Sequence, residues 1–247
     1  MVEPTVHKYC IGIAVLVLGL TAACGGSDGD APVDVYAAAS LAEVLPQIDP
    51  NARFSFAGSD ELAAQIREGA TADVYAAASS KYPQALFEEG LVEEPVTFAS
   101  NRLVLIVPRG NPAAIESVED VAERGTRLVV AAEGVPVGDY TRTVLETLGL
   151  SAALGNVVSN EDDVKGVAGK VALGEADAGF VYATDVTPVE DRVLAFELPD
   201  DAQPPIEYQV AVVAESTDKD AAIAFIEQLR SDEGREALEN AGFVVPT

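Results

Sequence analysis

The sequence predicts an α/β fold in two lobes, with the second lobe inserted into the first. Short apolar runs alternate with helix-period segments from residue 33 onward, which indicates α/β layers with mainly parallel strands. The heptapeptide DVYAAAS of residues 34–40 recurs at residues 73–79, at the spacing of one strand–helix–strand unit. Two further apolar runs, near residues 103 and 209, are predicted to cross between the lobes as a hinge.

The N-terminal residues are predicted to be an export signal that takes no part in the fold. Residues 10–23 carry no charge, and this stretch is shorter than the ~18–20 residues that span a bilayer. The tetrapeptide TAAC, which ends at Cys24, and the glycine-rich segment behind it resemble the cleavage box and tether of bacterial lipoproteins. We expect a signal peptide over residues 1–23, a lipid on Cys24 and a tether over residues 24–32. An unlipidated secreted protein is the alternative.

The chain is strongly acidic, with 41 Asp and Glu residues against 15 Lys and Arg residues and a net charge of −26. Removal of residues 1–23 takes away Glu3 and Lys8, so the net charge stays the same. This charge excludes nucleic acid as a partner. It does not exclude an anionic ligand, because exposed charges are screened beyond about 8 Å at physiological salt and local donors decide binding.

The scarcity of histidine and cysteine limits the chemistry that the chain can perform. The only histidine, His7, lies in the predicted signal, and Cys24 is the only cysteine that follows this signal. Neither a Ser-His-Asp nor a Cys-His system can be assembled, nor a histidine-rich zinc site. We therefore expect no catalytic residue, no cofactor and no bound metal cation. A Ser-Lys hydrolase that uses Ser40 remains formally open.

The first lobe is assigned to residues 33–104 and 209–247. Its first run is predicted to be a buried strand that stops at Ser40. In one interpretation, Ser40 caps the next helix through an S-x-x-E box. In the other, it binds a ligand beyond the carboxyl end of the strand. The second copy of the heptapeptide is predicted to be a neighbouring core strand, and Ser59 to open a helix in between.

The inserted lobe is assigned to residues 105–208. Its predicted elements are a strand over 127–131, a turn over 135–138, a helix over 139–148, a strand over 156–159, a helix over 163–173 and strands over 178–182 and 193–198. A strand over 208–213 then leads back to the first lobe. A helical region over 218–241, broken near Gly234, ends the chain.

Six sequence motifs occur in the order that is typical of one known family. They are Y-A-A-A-S-L at 36–41, G-S-x-x-L at 58–62, G-A-x-A-D-V at 69–74, V-P-x-G-x-Y at 135–140, D-V at 163–164 and G-E-A-D-A-G-x-V-Y-x-x-D at 174–185. Together they resemble the periplasmic molybdate-binding proteins that serve ABC importers, over residues 33–247.

The resemblance implies a type II periplasmic binding protein fold, α/β in both lobes, with a two-strand hinge and a ligand cleft between the lobes. It implies that the cleft closes on a tetrahedral oxyanion, molybdate or tungstate, held by hydrogen bonds without counter-charges. The expected partners are an ABC permease and its ATPase, and we expect an extracytoplasmic monomer anchored to the membrane through Cys24. Sulfate or another small oxyanion is the nearest rival ligand. An enzyme that uses Ser40 and an adhesive lipoprotein are the alternatives from other classes.

Carried over position by position, the resemblance implies an oxyanion site made of five residues. Ser40 and Ser59 would each offer a hydroxyl and a backbone N–H, Val137 and Val164 a backbone N–H, and Tyr182 its hydroxyl. Each falls at a predicted strand end or helix start, where N–H groups are free to bind an anion. The structural alternatives are that Ser59 is only an N-cap, that the valines are only apolar helix starts, and that Tyr182 bonds a carbonyl.

Two acidic residues depart from the family pattern, which usually has small or neutral residues after the second serine. Asp60 and Glu61 stand there, in the first turn of the predicted helix. Because a carboxylate aimed at the cleft would repel a divalent anion, we expect both side chains to point to solvent.

Overall fold

The structure is a computed structural model that describes Met1 and residues 32–246. The predicted signal peptide beyond Met1, the predicted lipid site Cys24 and the tether up to residue 31 lie outside the described residues. Within the part that is described, no helix is both long enough and apolar enough to cross a membrane.

The elements alternate between strand and helix, as the sequence pattern predicts. In chain order they are β1 (Asp34–Ala38), α1 (Leu45–Ile48), β2 (Arg53–Ala57), α2 (Ser59–Arg67), β3 (Val74–Ala77), α3 (Lys81–Glu88), β4 (Val96–Asn101), β5 (Leu103–Pro108), β6 (Leu128–Ala131), α4 (Pro136–Thr147), β7 (Val157–Glu161), α5 (Val164–Ala172), β8 (Ala178–Tyr182), β9 (Val193–Glu197), β10 (Ile206–Val212), α6 (Lys219–Leu229) and α7 (Asp232–Asn240). Short 3-10 helices, among them Ala39–Leu41 and Ala183–Asp185, connect several of them.

The strands form two five-stranded sheets, one in each lobe. The first has the order β2-β1-β3-β10-β4 and the second the order β7-β6-β8-β5-β9. The two copies of DVYAAAS lie side by side in parallel, with Tyr36 opposite Tyr75, which confirms that they are neighbouring core strands. Both sheets are covered by helices, and together with the structural neighbour described below this confirms the two-lobed α/β fold class.

Both sheets are mixed because each contains one strand that runs antiparallel to its neighbours. β10 runs antiparallel to β3 and β4, and β5 runs antiparallel to β8 and β9. The assigned lobe boundaries, after residues 104 and 208, fall inside β5 and β10. Because each of these strands pairs within a single sheet along its length, the chain changes sheets at Arg102 and again before Ile206.

One strand was missed by the sequence prediction. β4 was not predicted, because Thr97, Ser100 and Asn101 interrupt its apolar pattern, yet it pairs along β10. The last helical region breaks at residues 230–231, a few residues before Gly234, and the Ser231 side chain caps α7. A Cβ on Gly234 would lie 2.3 Å from the carbonyl oxygen of Gln228, so this glycine permits close packing at the start of α7.

The arrangement of the parallel strands positions the site. β1, β2, β6 and β7 each lead within a few residues into a helix or a 3-10 helix. Because parallel strands of one sheet end at the same edge, these helix starts gather where the two lobes face each other. The buried small residues of β1 and β3 allow the helices to pack closely behind that edge.

Candidate functional site

A small cavity lies between the two lobes, and all five predicted site residues line it: Ser40, Ser59, Val137, Val164 and Tyr182. It encloses about 210 Å³, its mouth included. The space within it that a water-sized sphere can reach is only about 20 Å³, little more than the ~10–15 Å³ that one water needs, so the cavity suits a very small ligand. The rest of its wall consists of Ala38, Ala39, Ala57, Gly58, Ala78, Val135, Pro136 and Asp163.

Three helices begin at the cavity wall. α2 begins at Ser59, α4 at Pro136 and α5 at Val164. The N–H groups of a helix's first turn have no acceptor within the helix, and the helix dipole places partial positive charge there. The cavity therefore receives such helix starts from both lobes, which is favourable for a negatively charged ligand.

Val137 lies inside α4 and not in a preceding turn. The sequence predicted that this helix begins at residue 139, but it begins at Pro136, where the fixed φ of proline suits the first helical position. A Cβ on Gly138 would lie 2.3 Å from the carbonyl oxygen of Ala132, so only glycine allows this close approach of the first turn of α4 to the end of β6.

Each of the two serine hydroxyls makes one hydrogen bond to the protein. Ser59 Oγ accepts a hydrogen bond from the backbone N–H of Ala78 at 3.1 Å. Ser40 Oγ lies 2.9 Å from the hydroxyl oxygen of Tyr208, and either group could donate. Burial raises the pKa of Tyr208 well above its ordinary value, so this phenol keeps its proton. When Tyr208 donates, both serine hydroxyl hydrogens are free to donate into the cavity.

Neither serine acts as a helix cap through its side chain. Ser40 lies within the 3-10 helix Ala39–Leu41, which has no side-chain cap, so the S-x-x-E interpretation is wrong. The N-cap of α2 is Gly58 and Ser59 is its first residue, so the alternative that Ser59 is only an N-cap is wrong too.

The hydroxyl of Tyr182 is buried and has no hydrogen-bond partner among the described residues. The alternative in which it bonds a carbonyl is therefore wrong. Burial raises the pKa of Tyr182 well above its ordinary value, so the group remains a neutral donor. Its ring packs edge-on against Tyr208, with 5.8 Å between the ring centroids. A buried hydroxyl without a partner costs about 1–3 kcal/mol, so this group is available to an acceptor that enters the cavity.

No lysine, arginine or histidine belongs to the described residues that line the cavity. The only lining carboxylate, that of Asp163, accepts the N–H of Gly166 at 2.8 Å and thereby caps α5. The described part of the chain also holds no cluster of side chains that could bind a metal ion. The cavity thus offers neutral donors and no counter-charge.

The expected orientation is correct for Glu61 and wrong for Asp60. Glu61 is exposed and accepts a hydrogen bond from Gln65 at 3.0 Å. Asp60 is only partly exposed, and its Oδ1 is buried without a hydrogen-bond partner in the described chain. Burial raises the pKa of Asp60, although nearby N–H groups and Lys81 oppose this. Asp60 does not line the cavity, so its carboxylate lies at the rim and does not block the site.

Polar contacts join the lobes on both sides of the cavity. Lys81 Nζ of α3 lies 2.8 Å from Asp139 Oδ2 of α4, and Tyr82 donates a hydrogen bond to the carbonyl oxygen of Gly134. Lys165 of α5 lies 3.5 Å from Glu43 of the first lobe. The structure therefore shows the cleft closed.

One buried charge near the site was not foreseen from the sequence. The side chain of Asp185 is fully buried, and Lys165 Nζ lies 3.3 Å from its Oδ1 without forming a well-directed hydrogen bond. Burial raises the pKa of Asp185 to about 6, although the charge of Lys165 opposes this. An acidic residue directly after the apolar strand β8 was the available signal. The position of Tyr208 beside Ser40 had no such signal, because it depends on the return of β10 to the first sheet.

Two lobes between which the chain passes twice, and a small cavity between them that collects neutral donors from both, define a two-lobed solute-binding protein. The chain belongs to the bacterial extracellular solute-binding proteins, whose family model matches residues 33–244. It is 34% identical over 252 residues to the molybdate-binding protein ModA of Mycobacterium tuberculosis, a match that covers 94% of this chain and 95% of the relative. It is 32% identical to ModA of Haemophilus influenzae, over 94% of this chain and 96% of the relative.

A solved structure supports the same fold. The periplasmic molybdate-binding protein of Azotobacter vinelandii superimposes with a TM-score of 0.77 at 24% identity, and the match covers 87% of this chain and all of that one. At this identity the likeness shows the fold alone. Membership of an extracellular solute-binding family agrees with the absence of a catalytic site expected from the sequence, and it indicates an extracytoplasmic location.

Proposed function

We propose that this protein captures molybdate, or tungstate, between its two lobes and delivers it to an ABC importer. One observation carries the proposal: the buried hydroxyl of Tyr182 lacks a protein partner in a cavity that gathers neutral donors from both lobes. The names of the relatives, which match nearly the whole chain, support this ion over others.

In this proposal five residues hold the ion. Ser40 and Ser59 donate through their hydroxyls and backbone N–H groups, Val137 and Val164 through their backbone N–H groups, and Tyr182 through its hydroxyl. Hydrogen bonds to a charged group contribute about 1.5–3 kcal/mol each. Half a dozen of them therefore suffice for tight binding after the cost of association, which is about 4–15 kcal/mol.

The donor set also accounts for selectivity by protonation state. A fully ionised oxyanion only accepts hydrogen bonds, whereas a protonated oxyanion presents a hydrogen that needs an acceptor. The N–H of Ala78 already uses an acceptor site of Ser59, and Tyr208 can do the same for Ser40. Each serine hydroxyl then keeps only one further acceptor site, so a protonated ion would find few acceptors for its hydrogen. Fixed donors on helix starts would further favour an ion of one size, which separates molybdate and tungstate from the smaller sulfate.

Calorimetric titration with molybdate, tungstate and sulfate tests the proposal. We expect molybdate and tungstate to bind at one site and more tightly than sulfate. An ion at about 100 times its dissociation constant should raise the free energy of unfolding by about 2.7 kcal/mol. Tighter binding of sulfate would overturn the choice of ion, and no binding of any oxyanion would overturn the function.

We further propose that the protein acts as a monomer tethered to the membrane by a lipid on Cys24, from which it hands its ion to a permease and its ATPase. The cleavage box that ends at Cys24 supports this anchor. We expect Cys24→Ser to move the protein from the membrane fraction to the soluble extracytoplasmic fraction, because it removes the only sulfur left after signal cleavage. The matched control, Cys10→Ser, lies within the signal and should leave the distribution unchanged. Retention of Cys24→Ser in the membrane would contradict the anchor.

A further inference from the structure

Asp60 brings a carboxylate to the place where the two lobes meet beside the cavity. It follows Ser59 directly, in the first turn of α2. Its Oδ1 lies 2.6 Å from the point that a Cβ on Gly58 would occupy, and the carbonyl oxygen of Asp162, from the other lobe, lies 2.6 Å from the same point. Two acceptor oxygens, one from each lobe, therefore both approach Gly58 closely.

No donor among the described residues serves this oxygen. Asp60 Oδ1 is buried and without a hydrogen-bond partner in the described part of the chain. A buried ionised carboxylate that faces another acceptor is unfavourable, and a divalent anion bound nearby would repel it further.

The N–H groups of Asp60 and Glu61 and the charge of Lys81 favour the ionised form of Asp60, but they offset only part of the effect of burial on its pKa. Lys81 of α3 is bonded to Asp139 of α4 at 2.8 Å, and Asp139 itself adds negative charge. Two tyrosines are near enough to be affected by the charge of Asp60, and both hydroxyls are engaged elsewhere. Tyr75 donates to the carbonyl oxygen of Ser59, and Tyr82 donates to that of Gly134.

We propose that Asp60 takes up one proton from solvent when the cleft closes on a divalent oxyanion, so that the ion and the proton are captured together. In the open cleft the carboxylate is hydrated and ionised. On closure the proton adds to Oδ1 and converts the carboxylate to a neutral carboxylic acid, so that no negative charge is left on the buried oxygen beside the bound ion. The inference rests on the proposed oxyanion function and adds to it that affinity depends on pH.

The sign of this dependence follows from linkage. Because the closed, ion-bound state holds the proton more tightly than the open state, affinity is highest at low pH. It falls as pH rises from the open-state pKa to the closed-state pKa and is constant above it. The total loss is about tenfold for each unit by which closure raises the pKa of Asp60.

Calorimetric titration with molybdate in buffers of different ionisation enthalpy counts the protons taken up. At pH values between the ordinary pKa of this carboxyl and its raised pKa in the closed cleft, we expect proton uptake and falling affinity for the unaltered protein. Asp60→Asn, which keeps the shape and cannot ionise, should bind without proton uptake, at an affinity independent of pH, and more tightly than the unaltered protein at the alkaline end. Glu61→Gln removes the same charge from the adjacent, exposed position and should behave like the unaltered protein.

The outcomes separate this inference from the proposed function. Molybdate binding by the unaltered protein without proton uptake, or with the same uptake in Asp60→Asn, would overturn the inference and leave the function standing. Failure of every oxyanion to bind would overturn both. The measurement on the unaltered protein is decisive by itself, so the inference can be tested even if Asp60→Asn fails to fold.

Discussion

Replacement of Tyr182 by phenylalanine is expected to weaken molybdate binding by about 10- to 100-fold with little loss of stability of the unliganded protein. The change removes one donor to the ion, and hydrogen bonds to charged groups contribute about 1.5–3 kcal/mol. No protein group among the described residues bonds that hydroxyl in the closed cleft, and water serves it in the open one, so its removal costs the unliganded protein little stability. Calorimetric titration and a thermal melt measure the two quantities.

Tyr36→Phe is the matched control for this variant. Tyr36 lies in β1 but does not line the cavity, so its hydroxyl should contribute nothing to affinity. Equal affinities of Tyr182→Phe and the unaltered protein would show that the hydroxyl does not touch the ion. A fall in stability that matches the fall in affinity would show that Tyr182 serves the fold and not the ligand.

Replacement of Asp185 by asparagine is expected to stabilise the protein at neutral pH. Burial raises the pKa of this carboxyl from 3.8 to about 6, so the folded state binds its proton more tightly than the unfolded state. The ionised group therefore destabilises the fold as pH rises from about 4 to about 6. By linkage the full cost is about 3 kcal/mol above this range and vanishes below it. Denaturant unfolding of Asp185→Asn should show a gain of that order near pH 8 and none near pH 4.

Asp177→Asn is expected to change the stability at neutral pH in the opposite direction. Burial alone would raise the pKa of Asp177, but hydrogen bonds from the side chain and the N–H of Arg127 lower it overall. This group therefore stabilises the fold above its ordinary pKa, and the contribution is lost as pH falls through the lowered value. Asp177→Asn should destabilise the protein at neutral pH. Loss of stability in Asp185→Asn near pH 8 would instead show that the contact of Asp185 with Lys165 is net favourable.

The sequence predicted the site better than it predicted the side-chain contacts around it. The family resemblance named the five site residues, and local apolar patterns placed each of them at a strand end or helix start. The structure brings all five to one cavity, Ser40, Ser59, Val137, Val164 and Tyr182. The binding role of these five residues stays a prediction.

Errors arose where a residue's environment comes from distant parts of the chain. Ser40 fits a local capping motif, but its hydroxyl bonds Tyr208, which is 168 residues away. Asp60 was expected to be solvated, but the opposite lobe approaches beside Gly58 and contributes to its burial. The missed strand β4 also depends on a distant partner, since β10 pairs with it and tolerates its polar residues.

The central claim is that a protein with a net charge of −26 captures an anion with neutral donors alone. Titration with molybdate at low and high salt tests this claim most directly, because salt screens attraction between charges and leaves short neutral hydrogen bonds largely unaffected. We expect one binding site whose affinity stays constant, or rises slightly, as added salt screens the repulsion from the acidic surface. Affinity that falls steeply with salt would reveal a cationic site and contradict this account.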